Sequence, residues 1–183
     1  MPAITLIPHP ATPCPAISSF EVCYKHTPKG LLSLEYLLEG AVEELRISGK
    51  NPAPGRRDEL WRHTCFEVFI AQGEGPDYWE CNFSPAGDWA IYHFTAYRDG
   101  MSAPPLASPP LITAERDTRH LILRVALDTG ALVPGFSPCG ALRLAISAVL
   151  ESRNGAHSYW ALRHPPGNPD FHHPESFALN LPA

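Results

Sequence analysis

The chain has 183 residues, 44% of them hydrophobic and 18% charged, which is enough for one substantial core, so a single domain over residues 1–183 is expected. Its 14 basic and 19 acidic residues give a formal net charge of -5 with no block of consecutive Lys or Arg, and this argues against a nucleic-acid partner. No run approaches the ~18 apolar residues of a membrane span, and the N-terminus lacks the basic and unbroken apolar stretches of a secretion signal, so no membrane partner and a cytoplasmic location are expected.

In chain order, the N-terminal ~15 residues read as an extended arm or an edge strand, because proline recurs through them. Strand-like runs then follow at Phe20–Tyr24, Leu31–Leu38, Val42–Ser48, Thr64–Ile70, Tyr78–Ser84 and Trp89–Thr95. Further runs are Leu111–Glu115, His120–Leu127, Ala141–Leu150, Ser158–Leu162 and Ser176–Leu181. Ala141–Leu150 alternates with the period of a strand, although its composition also tolerates a helix; Asp128–Val133 fits one helical turn. The segment Ser102–Pro110 is expected to cross between sheets. Turn residues separate nearly all the runs, and the 21 prolines concentrate between short elements. The predicted fold class is therefore all-β: an antiparallel β-sandwich, immunoglobulin-like or jelly-roll-like, with little or no helix. The five cysteines, Cys14, Cys23, Cys65, Cys81 and Cys139, form no CxxC pair and read as free thiols.

Leu60–Met101 carries the most information. An antiparallel hairpin that matches its apolar sets places Phe66 opposite Phe83, Val68 opposite Cys81 and Ile70 opposite Trp79, on one face. The turn Pro85-Ala86-Gly87-Asp88 then brings Trp89 and Ile91 beside Phe83 and Cys81. The reverse face carries Glu67, Phe69, Tyr78, Glu80, Asn82, Ala90, Tyr92 and Phe94, mixing carboxylates and an amide with aromatic rings. Rings beside fixed polar groups suit a small polyhydroxylated ligand. The bland alternative is a half-covered face on which Glu67 and Glu80 answer Arg98 or Arg62 in ordinary ion pairs.

The strings Leu60-Trp61, Thr64-Cys65-Phe66-Glu67, Tyr78-Trp79-Glu80, Asn82-Phe83-Ser84-Pro85, Trp89-Ala90 and Tyr97-Arg98 resemble the DOMON-like sandwich domains related to family 9 carbohydrate-binding modules. Tyr159-Trp160-Ala161-Leu162, His164-Pro165, Pro169-Asp170-Phe171-His172 and Ser176-Phe177-Ala178-Leu179 resemble the same group's ending. The resemblance implies a non-catalytic sandwich that binds a sugar or, in some branches, haem. It makes Trp61, Glu67, Asn82 and Arg98 candidates to face a ligand. Arg62-His63-Thr64 stands where many such modules carry acidic residues, so their calcium sites do not carry over.

The candidate ligand-binding residues are thus Trp61, Glu67, Glu80, Asn82, Tyr92, Arg98, Asp170 and His172, with a small molecule, in the first place a saccharide or sugar-containing metabolite, as partner and no cofactor. Alternatives stay open. The loop from His164 to His173 gathers three histidines and a carboxylate that suit either a divalent metal or loop-fixing hydrogen bonds. The haem-binding branch that the resemblance implies uses a methionine and a histidine as axial ligands, and Met101 is the one methionine besides Met1. Glu67 and Glu80 could form the acid and base of a sugar-processing enzyme, and a protein-interaction module would need no small ligand.

Overall fold

A computed structural model describes residues 1–132 and 140–182. Cys139, Val133 at the end of the expected helical turn, and Ala183 lie outside the described residues. Two antiparallel sheets pack face to face as a β-sandwich. One contains five strands in the order β1 (Ala3–Thr5), β3 (Ile17–His26), β4 (Leu31–Gly40), β9 (His120–Asp128) and β8 (Leu111–Arg116). The other runs β2 (Ile7–Pro8), β11 (His157–Ala161), β10 (Leu142–Glu151), β5 (Cys65–Gln72), β6 (Tyr78–Phe83) and β7 (Trp89–Phe94), with β12 (Leu179–Leu181) also on β10. The N-terminal segment supplies an edge strand to each sheet.

Sequence pattern separates the two sheets. In β4 and β9 buried residues alternate with partly or fully exposed ones, as expected of a sheet with one wet face. In β6 every residue is buried, and in β5 all but Gln72, because this sheet is covered on both sides. Its inner face, with Phe66, Val68, Trp79, Cys81 and Ile91, joins Phe20, Tyr36 and Leu123 of the opposite sheet in the main core. Its outer face carries a second apolar cluster that includes Phe69, Tyr92, Phe94, Val149 and Phe171.

The predicted register holds residue by residue. Phe66 pairs with Phe83, Glu67 with Asn82, Val68 with Cys81 and Ile70 with Trp79, and Cys81 and Phe83 face Ile91 and Trp89 on β7. The expected crossing at Ser102–Pro110 leads from β7 to β8 in the other sheet. Arg56 pins its start by donating to the carbonyls of Ala103 and Pro104.

Two strand expectations are corrected. Val42–Ser48 opens with a one-turn 3-10 helix, Val42–Glu44, followed by a single bridge between Leu45 and Ser152. Val42 and Leu45, the buried residues of this stretch, are spaced by three, which suits that turn rather than a strand. Ser176–Leu181 shrinks to β12. Its start is the end of another single turn, Pro174–Ser176, where the proline suits the first position and the His173 ring accepts from the Glu175 N–H. The helical turn expected within Asp128–Val133 is a 3-10 turn at Thr129–Ala131. Among the described residues no helix is long and apolar enough to cross a membrane.

One bond ties the core to the outer-face polar groups. The phenol of Tyr36, wholly buried on β4, donates across the sandwich to the backbone carbonyl of Glu67 at 2.8 Å. Tyr36→Phe removes it while preserving ring packing, and a loss of about 1 kcal/mol is expected in denaturant unfolding. An unchanged midpoint would show that the bond contributes nothing net.

Candidate ligand-binding site

The outer face of β5, β6, β7 and β10 floors a cavity of about 370 Å³. Two excursions of the chain wall it. The first follows β7 and brings in Arg98 and Met101. The second is a consequence of how the C-terminal strands pair. β11 lies along Ser147–Glu151 of β10 and β12 along Leu142–Leu144 of the same strand, so the intervening residues 162–178 loop out. That loop delivers Pro169, Phe171 and His172 to the cavity. Trp61 enters from the one-turn 3-10 helix Leu60–Arg62.

Six of the eight sequence candidates line this space: Trp61, Glu67, Glu80, Tyr92, Arg98 and His172. Asn82 and Asp170 stand behind them. Asn82 is wholly buried and donates to Glu80 Oε1 at 2.7 Å, so it orients a wall residue. Asp170 accepts from Arg98 Nη2 at 2.8 Å, from the Tyr97 hydroxyl and from the His172 backbone N–H at 3.1 Å, tying the two excursions together.

The backbone is held in unusual geometry beside the cavity. Among the described residues, the non-glycine residues with left-handed φ are Glu59 (φ 62), just before the Trp61 turn, and Arg98 (φ 53). Such conformations cost on the order of 1–3 kcal/mol and persist where the surroundings over-determine them. Next to Arg98, Gly100 is also left-handed, and a Cβ there would lie 1.9 Å from Thr95 Oγ1, so only glycine fits this tight turn.

The carboxyls sit in an environment that resists charge. Glu67 is 2% exposed and Glu80 7%. Burial first, then the charge of Glu80, push the Glu67 carboxyl well above the ordinary carboxylate range, against a hydrogen bond from Ser147 Oγ at 3.3 Å. Burial also raises Glu80, opposed by Asn82 and by the Arg98 charge. The ordinary ion pairs that would have explained these carboxylates are made elsewhere: Arg98 pairs with Asp170 and Arg62 with Glu59.

His172 is surrounded by the rings of Phe69, Phe94 and Tyr78, with centroids 5.0, 5.1 and 5.8 Å away. Burial, then the Arg98 charge, lower its pKa to about 4, so the imidazole is neutral at pH 7. The Tyr78 oxygen accepts from the Arg98 backbone N–H at 3.1 Å and lies 2.7 Å from His172 Nδ1. The other ring nitrogen, Nε2, lies 3.6 Å from Glu80 Oε2.

The other histidines of this loop have separate tasks. His164 Nε2 bonds to the Ile7 carbonyl, and His173 caps the turn that follows it. Among the described residues no group of three or more His, Cys, Asp or Glu is arranged to hold a metal ion.

Sequence reasoning missed Tyr159, Val149, Phe171 and Pro169 in the lining and Ser147 beneath it. The pairings Val149 with Tyr159 and Ser147 with Glu67 place the first two and the serine on the site's face. The usable signal was strand parity: Trp160 turns into the core, so its neighbour Tyr159 turns out.

No family model matches the chain, and no curated protein matches it in sequence. A solved structure from Bacteroides uniformis ATCC 8492, described as a "putative carbohydrate-binding protein", is similar with a TM-score of 0.69 and 15% identity over 96% of this chain and 83% of that one. The likeness is one of fold. It extends over nearly the whole chain.

Proposed function

We propose that this pocket binds a saccharide or sugar-containing metabolite without transforming it, in a sandwich of the DOMON-like type related to family 9 carbohydrate-binding modules. The observation that carries the reading is the convergence of Trp61, Glu67, Glu80 and Arg98 on one cavity of about 370 Å³. That is within the ~300–1,000 Å³ range of small-molecule sites, and a flat interaction surface would not have this depth. Trp61, 39% exposed, offers a ring edge-on to Tyr92 where an apolar sugar face can stack. The carboxyls, raised toward their protonated forms, can both donate to and accept from hydroxyls, and Arg98 adds donors at the mouth. The name given to the Bacteroides protein agrees with this reading.

A saccharide panel tested by thermal shift checks it, since any ligand of the folded state raises the melting temperature. Trp61→Ala is expected to weaken the binding saccharide roughly tenfold or more, equivalent to about 1.5 kcal/mol of aromatic contact. The ligand-free melting temperature should move by only about 2–4 °C. A panel with no stabilising sugar, or a variant that binds as well as the parent, would sink the proposal.

A further inference from the structure

We propose that the sugar taken by this pocket carries a protonated amine, an amino sugar whose ammonium group sits between Glu67 and Glu80. This rests on the saccharide reading and adds the ligand's charge. Its basis is an imbalance in the cavity wall. Two carboxyls almost wholly removed from solvent both line the space, and among the described residues neither forms an ion pair with Lys or Arg. Arg98, the one Lys or Arg in the lining, already has a carboxylate partner in Asp170 at 2.8 Å. The base facing Glu80 is His172, 3.6 Å away.

The hydrogen bonding is also incomplete. Asn82 fills one oxygen of Glu80, while Ser147 reaches one oxygen of Glu67 at a long 3.3 Å. The other Glu67 oxygen has no hydrogen-bond donor among the described residues. Buried carboxylates are ordinarily paired or fully bonded, so a side chain 2% exposed with a free oxygen on a cavity wall is a built acceptor. An ammonium brings three donors and a full positive charge, which a hydroxyl does not. The remaining lining is largely aromatic, with Trp61, Phe69, Tyr92, Phe94, Tyr159 and Phe171, and such a lining is compatible with a bound cation.

A proton balance follows. Glu67 faces Glu80 and Ser147; Glu80 faces Asn82, Arg98 and His172. Burial pushes both carboxyls toward the uncharged acid, and the Glu80 charge adds to this at Glu67. An ammonium between them favours their ionised forms, so binding is coupled to proton release and tightens as pH rises while the amine stays charged.

The test is calorimetry with glucosamine, galactosamine and mannosamine beside the parent hexoses and their N-acetyl forms, with 2-aminocyclohexanol as a sugar-free amine. Titrations in two buffers of different ionisation enthalpy at about pH 6 and about pH 7.5 count the protons released. At least one amino sugar is expected to bind about tenfold or more tighter than its hexose and N-acetyl counterparts, with proton release. In Glu67→Gln, which preserves side-chain shape, the amine-to-hexose affinity ratio should fall about tenfold. Hexoses binding as tightly as their amines would overturn the amine assignment and leave the saccharide reading standing. Aminocyclohexanol binding as tightly as any amino sugar would support the ammonium site and overturn the saccharide reading. Binding by none of these compounds would overturn the assignment outright.

Discussion

Phe66→Ala is expected to lower the free energy of unfolding by about 3–5 kcal/mol, the largest single-residue effect on stability proposed for this chain. Phe66 is fully buried on the inner face of β5. Its ring meets Tyr36 at 5.1 Å and Phe20 at 5.9 Å, both edge-on, and Phe20 continues to Trp160 at 5.6 Å. This cluster bridges both sheets, so truncation removes the buried ring and leaves a void bounded by other rings on strands fixed by hydrogen bonds, with little scope for collapse. For a chain of this size the loss amounts to a fall in melting temperature on the order of 10 °C. It also reaches the site. Phe66 and Glu67 are consecutive residues pointing to opposite faces, and Tyr36, which packs on Phe66, bonds the Glu67 carbonyl. Guanidinium unfolding monitored by tryptophan fluorescence measures the effect, and a cost below about 1.5 kcal/mol would mean that the cluster is not the principal tie between the sheets.

The parts of this architecture legible in the sequence are those set by local parity. In β5, β6 and β7 large apolar residues occupy alternate positions, and a one-residue slip would bury Glu67, Glu80 and Asn82 in the main core, so one register was strongly favoured. The same parity assigned Glu67, Glu80 and Tyr92 to the face that floors the site. Depth was not legible. Asn82 shares that face but is wholly buried, since whether a residue touches a cavity or lies behind it depends on covering loops far away in sequence. Nor was the partner of β10. Its pairing with β5 and its split edge, shared by β11 and β12, join segments distant along the chain and determine where residues 162–178 emerge. Asp170 and His172 were picked out by residue type in a proline-stiffened loop. Their division of labour, one tying loops and the other lining the pocket, came only from that topology.

Two opposing titrations should shape the pH dependence of stability, and Glu67→Gln should separate them. His172 binds its proton with a pKa of about 4 when folded, below its ordinary 6.5, so between those values the unfolded chain holds more protons and stability rises with pH. At about 1.4 kcal/mol per pH unit this contributes roughly 3 kcal/mol, complete above pH 6.5. Glu67 and Glu80 act with the opposite sign. Their folded values are raised above the ordinary 4.5, so above that pH the native state holds more protons and stability falls as pH rises through the raised values. Above pH 4.5 the carboxyls therefore oppose the gain from His172, and above pH 6.5, where the His172 contribution is complete, any further change carries the sign of the carboxyls. Glu67→Gln removes the larger carboxyl contribution while keeping shape and the Ser147 contact. Its curve should rise more steeply or fall less than the parent's between pH 4.5 and 6.5, and at pH 8 the variant should exceed the parent by about 1–3 kcal/mol, the penalty of an under-bonded buried polar group. Parallel curves for the two proteins in urea melts across this range would show that Glu67 is ionised and satisfied in the fold. The pocket would then have no uncompensated carboxyl with which to select a cationic ligand.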